Sequence, residues 1–153
     1  MDIGIDGKSR KKVVGALEQV LADTYALYTK THGYHWNVEG PRFIQLHLLF
    51  ETQYNEVWTA LDAIAERIRA LGQFVPARES LGSKSTLKAD NGVPSEDQML
   101  ANLAAANEAV VKSARSCLKL AEDAGDQATA DLMTQRCATG EKAAWMLRAH
   151  APK

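Results

Sequence analysis

Residues 35–72 read HWNVEGPRFIQLHLLFETQYNEVWTALDAIAERIRALG. Leu46, Phe50, Val57, Leu61, Ile64 and Ile68 recur near a helical period and predict one long amphipathic helix. Pro41 suits its first position, and Gly72 stops it after about Leu71. Five side chains of metal-binding type fall in this stretch at helical spacings: His35, His47, Glu51, Asp62 and Glu66. His47 and Glu51 are four apart, and so are Asp62 and Glu66, so each pair stacks on a helix face. Glu51 and Asp62 are eleven apart, about three turns, which puts all four on one side. At 1.5 Å per residue the two pairs stand roughly 16 Å apart, whereas metal–ligand bonds are about 2 Å long. One helix therefore cannot close both pairs on one ion. Either they are two half-sites, or a second copy of the helix runs antiparallel and each pair meets the other across a two-fold axis.

The rest of the chain reads as three more helices. The first runs from about Ser9 to Trp36, with Val13, Leu17, Val20, Leu21 and Tyr28 near the helical period. Asn37 to Pro41 break it. Beyond Gly72 a connection spans Gln73 to Pro94. Ser95-Glu96-Asp97-Gln98 is a capping box that opens the third helix, which ends near Gly125. Asp126 caps the fourth, which runs to about Arg148. Short links make helices one and two, and three and four, antiparallel hairpins. The long connection, residues 73–94, carries the chain back along the bundle, so helix three runs parallel to helix two. One long crossover is the ferritin-like topology of the four-helix bundle. The expected fold is all-α, a single domain over residues 1–153, with residues 1–8 as a flexible N-terminal tail.

Composition narrows the function. A chain of 153 residues with 46% hydrophobic content buries a real core. A formal net charge of −1 gives no bulk argument for nucleic acid. No apolar run approaches a membrane span, and the N-terminus lacks a signal-peptide pattern, so the expected compartment is the cytoplasm. Cys117 and Cys137 stand alone and read as small core residues.

Each metal-type pair has an ordinary reading. His47 with Glu51 matches a solvated contact, Glu66 with Arg67 and Arg69 a charged surface, and His35 a helix-end cap. Together, two histidines and three carboxylates form a mixed nitrogen and oxygen set that suits iron, manganese or zinc, not a thiolate site. A di-iron site within one ferritin-like bundle needs two Glu-x-x-His motifs, and the sequence has none. The metal residues also lie roughly 100° around the second helix from its apolar stripe, in company with Trp58.

The spacing of His35-Trp36-Asn37-Val38, Gly40, Phe43, Leu46-His47, and Asp62 followed by Ala65-Glu66-Arg67-Ile68-Arg69, Leu71-Gly72 closely resembles the Dps proteins, the mini-ferritins (DNA-binding proteins from starved cells). The likeness continues through Asp126 and Thr129-Ala130-Asp131-Leu132 to Trp145-Met146-Leu147-Arg148 and covers nearly the whole chain. It implies a homo-oligomeric hollow shell of twelve subunits with ferroxidase sites on its two-fold axes. Iron is oxidised from Fe(II) to Fe(III), preferably by hydrogen peroxide, and stored as mineral; no organic cofactor is implied. His35, His47 and Glu51 would come from one subunit, Asp62 and Glu66 from its neighbour. Trp36 would supply an electron to a reactive oxygen intermediate. Asp126 and Asp131 would line a negative three-fold pore for iron entry, alongside the capping reading of Asp126.

Two positions depart from the family. Glu51 stands where Asp is common, which lengthens that arm by one methylene. Gly140 stands where His is frequent. His32, three residues before His35, lies outside the motif; it reads as a polar helix-end residue or as a reach to a second ion. The second function class is a nucleoid-associated DNA-binding protein, for which Lys8, Arg10, Lys11 and Lys12 are the candidate contacts, multiplied over twelve subunits. A helical scaffold without redox chemistry requires the metal spacing to be chance.

Overall fold

The computed structural model describes residues 2–150; Met1 and residues 151–153, the ends of the expected domain, lie outside them. The described residues form five helices: α1 (Gly7–Asn37), α2 (Phe43–Ala70), α3 (Arg78–Lys84), α4 (Glu96–Asp123) and α5 (Gln127–His150). Four are the expected long helices. The fifth, α3, is a two-turn helix inside the crossover, anchored by the buried Leu81.

Local chemistry sets the ends. Asp6 caps α1 by accepting from the Lys8 and Ser9 amides at 2.9 and 3.0 Å. Gly7 and Lys8 therefore belong to a helix and not to a tail. Pro41 does not open α2 as the sequence suggests. It sits in a turn closed by the Phe43 amide on the Gly40 carbonyl at 3.1 Å, and helix begins at Phe43. That turn needs Gly40, whose φ is +117° and whose missing Cβ would stand 2.8 Å from a Glu96 carboxylate oxygen. Ser95 and Gln98 form the expected capping box on α4.

Contacts at both ends fix the topology. At one end Arg42, just before α2, bonds Glu96 at the start of α4 and the His150 carbonyl at the end of α5. At the other, Arg67 near the end of α2 reaches Asp126 between α4 and α5. So α2 and α4 run parallel, as one long crossover requires. The apolar stripe of α2 is buried throughout, from Leu46 and Phe50 to Ile64 and Ile68. Helix α1 packs on both α2 and α4, and α5 packs mainly on α4. Cys117 and Cys137 are free thiols in the core; burial, with the Asp126 charge second, pushes the Cys117 thiol up to about 12. No helix among the described residues is long and apolar enough to cross a membrane.

Candidate metal centre

The five residues between α1 and α2 fold the last turn of α1 against the second turn of α2. This brings His35 and His47 face to face, with ring centroids 3.8 Å apart and planes inclined by 21°. The Nδ1 of His35 lies 2.9 Å from the His47 carbonyl, and the Nδ1 of His47 lies 2.9 Å from the His35 carbonyl. A carbonyl oxygen only accepts, so each Nδ1 carries the hydrogen, and in the neutral ring it is Nε2 that offers the lone pair. An imidazole held this way can serve as a metal ligand, its orientation fixed by the bond its other nitrogen makes. His35 is only 9% exposed.

Glu51 follows one turn after His47 and is half-buried. Asp62 and Glu66 are exposed three turns further along. Among the described residues no three His, Cys, Asp or Glu side chains gather around one point. Within one chain the two groups stay separate, as the helix rise requires.

Aromatic side chains fill the space around the histidines. Phe43 packs on the His47 ring at 5.1 Å, and Tyr54 meets the His35 ring edge-on at 5.2 Å. His32 stacks on Tyr54 at 4.1 Å and lies 4.2 Å from Trp36, which is 68% exposed. The Tyr28 hydroxyl is 3.2 Å from His32 Nδ1. Burial, and then the neighbouring His35, hold the His32 pKa below its ordinary value. Trp58 carries the Arg78 guanidinium 4.9 Å from its ring, and both border a cleft of about 540 Å³ that reaches Asp62. Tyr54 and Arg78 have no place in the sequence reading, and Tyr28 appears there only in the apolar period of the first helix. Tyr28 and Tyr54 each stand seven residues from one of the paired histidines, which is two turns and therefore the same face. Arg78 has no such signal, because it belongs to the crossover.

The acidic pair divides. Asp126 is 2% exposed and fully engaged. Its Oδ1 accepts from Arg67 Nη2 at 2.6 Å and from the Thr129 amide at 3.0 Å, and its Oδ2 accepts from the Thr129 hydroxyl at 2.6 Å. The carboxylate caps α5 and ties it to α2, so the capping role is realised and the carboxylate is turned away from solvent. Asp131 is exposed and accepts from Gln135 Nε2 at 2.8 Å. At the N-terminus Lys8, Lys11 and Lys12 are exposed and Arg10 is half-buried, all within the first turns of α1.

Gly140 has a packing reason. It is buried on α5 against α4, and a Cβ there would fall 2.7 Å from Val111 Cγ2.

The ferritin-like domain family matches residues 14–153 of the chain. "DNA protection during starvation protein 2" of Bacillus anthracis is 36% identical over 91% of this chain and 96% of its own length. The chain belongs to the Dps family. An uncharacterised low temperature-induced protein of Nostoc is 40% identical over 97% of this Dps-family chain and 84% of its own length. The crystal structure of the Dps protein of Vibrio cholerae superposes with a TM-score of 0.90 at 30% identity, covering 96% of this chain and 93% of that one. That protein is described as a member of a broad superfamily of ferritin-like diiron-carboxylate proteins.

Proposed function

We propose that the protein is a ferroxidase and iron-storage subunit that oxidises Fe(II) with hydrogen peroxide at a site shared by two copies of the chain. The observation that carries this reading is the His35–His47 pair, with both Nδ1 hydrogens committed to carbonyls and both Nε2 lone pairs free. In the proposed site His35, His47 and Glu51 of one copy face Asp62 and Glu66 of the other. The two groups stand roughly 16 Å apart along one helix, and an antiparallel second copy closes that gap. Iron is the substrate. Imidazole and carboxylate bind Fe(II), and hard carboxylate oxygens favour the Fe(III) product. Two Fe(II) give two electrons to one peroxide, whose O–O bond breaks as it takes up two protons to become two waters. Supplying both electrons together avoids releasing a one-electron radical.

Assembly follows from the same face. Ile44, Leu48 and Trp58 on α2 are exposed beside the metal residues, an apolar strip that a second copy would cover. A dodecameric shell around stored ferric oxyhydroxide completes the reading. Asp131 is then the pore-lining acid of the proposed pair, and Asp126 the residue that holds the adjoining turn.

The decisive experiment mixes anaerobic Fe(II)-loaded protein with peroxide and follows ferric absorbance. About two irons oxidised per peroxide are expected at a two-metal site. No peroxide-driven ferric product would overturn the reading.

A second reading is DNA contact. It is supported by the exposed Lys8, Lys11 and Lys12 at the positive end of α1 and by relatives named for DNA protection. Gel retardation that weakens with added salt, and that is lost in the triple lysine-to-alanine variant, is the expected result. Retardation unchanged in that variant would sink it.

A further inference from the structure

A continuous set of ring contacts leads away from the paired histidines and ends at one phenol that has a base. Tyr54 stands 5.2 Å from the His35 ring and 6.3 Å from Tyr28, and Tyr28 is 5.1 Å from Trp58. The four tyrosines differ in what they offer an electron hole. A phenol that loses an electron must also lose its proton, so the hole settles where a base receives that proton. Tyr28 has one in the Nε2–H tautomer of His32, whose Nδ1 lies 3.2 Å from the phenol and accepts its hydrogen. Tyr34 also has one, the Asp90 carboxylate at 2.6 Å, but among the described residues its one aromatic contact is Phe50 at 6.4 Å, so it lies outside the set. Tyr54 is inside the set, yet its hydroxyl has no hydrogen-bond partner among the described residues, and the same holds for Tyr25.

We propose that Tyr28 is a redox-active tyrosine that surrenders an electron through Tyr54 and Trp58 and passes its phenolic proton to His32. The oxidant is a one-electron species such as the hydroxyl radical, formed when a lone Fe(II) meets peroxide. The radical gains the electron and a solvent proton and becomes water. The Tyr28 O–H bond breaks, the proton moves to His32 and then to solvent, and a neutral phenoxyl radical remains on Tyr28. This places a radical sink inside the chain, with the His32 ring between it and the exposed Trp36. The cellular oxidant assumes the ferroxidase reading, but the phenol, its base and its ring contacts do not.

Pulse radiolysis of the assembled, iron-free protein with azide radical tests the proposal without iron chemistry. The wild type should show a tryptophanyl radical decaying within the protein to a tyrosyl radical. Tyr28→Phe, which keeps the ring, should lose most of the tyrosyl yield, and Tyr34→Phe should keep it. His32→Phe should slow tyrosyl formation several-fold. A wild-type tyrosyl yield in Tyr28→Phe, or none in the wild type, overturns the assignment. An unchanged rate in His32→Phe overturns the proton route. Freeze-quenched samples of Fe(II) protein with peroxide, read by electron paramagnetic resonance, should show the same Tyr28-dependent signal. Absence of ferric product there would refute the ferroxidase reading and leave the azide result to decide on Tyr28.

Discussion

His35 and His47 each donate an Nδ1 hydrogen to the other's backbone carbonyl, at 2.9 Å in both directions. The bond is structural as well as orienting. The His35 carbonyl belongs to the last turn of α1, where the helix runs out of amide donors, and His47 satisfies it. The neighbouring Gly33 carbonyl is met in the same turn by Asn37 Nδ2 at 2.8 Å. The link between α1 and α2 and the proposed metal ligands are therefore one feature.

His47→Ala should lose about 1 kcal/mol of stability, the worth of one such hydrogen bond. Urea titration of the variant measures it. Adding Asp62→Ala should nearly abolish peroxide-driven iron oxidation with helical content largely intact, because Asp62 is exposed. Oxidation at the wild-type rate in the double variant would refute the site.

Asp126 and Asp131 should separate cleanly by experiment. Asp126→Ala removes a helix cap and leaves the half-buried Arg67 without its partner, a loss of roughly 3 kcal/mol. Asp131→Asn should leave the denaturation midpoint unchanged and slow iron uptake into the shell. If Asp131→Asn took up iron as fast as the wild type, the pore reading would fail.

Gly140→Ala should destabilise the protein although alanine is the better helix former. The helix gain is about 1 kcal/mol, and forcing a methyl into a packed core costs about 1–3 kcal/mol. Val111 yields little, since a β-branched side chain in a helix has one strongly preferred rotamer. A second substitution, Val111→Ala, should recover part of the loss attributable to the clash. Thermal melts of the single and double variants decide between packing and propensity.

The long helices were legible because each carries twenty or more residues of periodic pattern and chemically distinct ends, such as Ser95 with Gln98 and the Asp126 cap. Helix α3 was not, because seven residues hold too little periodicity to stand out from a polar loop. Pro41 misleads for a related reason: it is equally at home in the turn that Gly40 makes. The metal residues were readable as a pattern and their separation as arithmetic. The reciprocal histidine bonds were not, since they join residues on two helices through backbone atoms that no side-chain pattern records. Asp126 shows the same limit. Its type and position fit a pore, and only its burial against Arg67 reveals the ion pair.

Asp23 should make the fold sensitive to acid. It is fully buried. Burial alone would raise its pKa, but hydrogen bonds from Ser113, the Thr86 amide and hydroxyl, and Ser85 outweigh that and hold it below the ordinary carboxylate value. A lowered folded-state pKa means its contribution is present above the unfolded carboxylate pKa and is lost as pH falls through the folded one. Asp23→Asn should thus be less stable than wild type at neutral pH, and the gap should shrink on acidification. Denaturation midpoints measured across the acid range test this; a constant gap would contradict it.

The shared site makes the sharpest prediction. If His47 and Asp62 of one chain serve different centres, His47→Ala and Asp62→Ala should complement each other in mixed shells. In a two-fold dimer of one variant with the other, one site collects both lesions and the other is intact. Random mixing at equal amounts should restore about a quarter of the sites, since an isologous contact takes one group from each partner. A site built within one chain would restore none, because every chain carries a defect. The two variants are unfolded, refolded together, shown to be mixed by mass spectrometry, and compared with each refolded alone for peroxide-driven Fe(II) oxidation. Activity no higher than the parents' average would return His35, His47 and Glu51 to a half-site of their own.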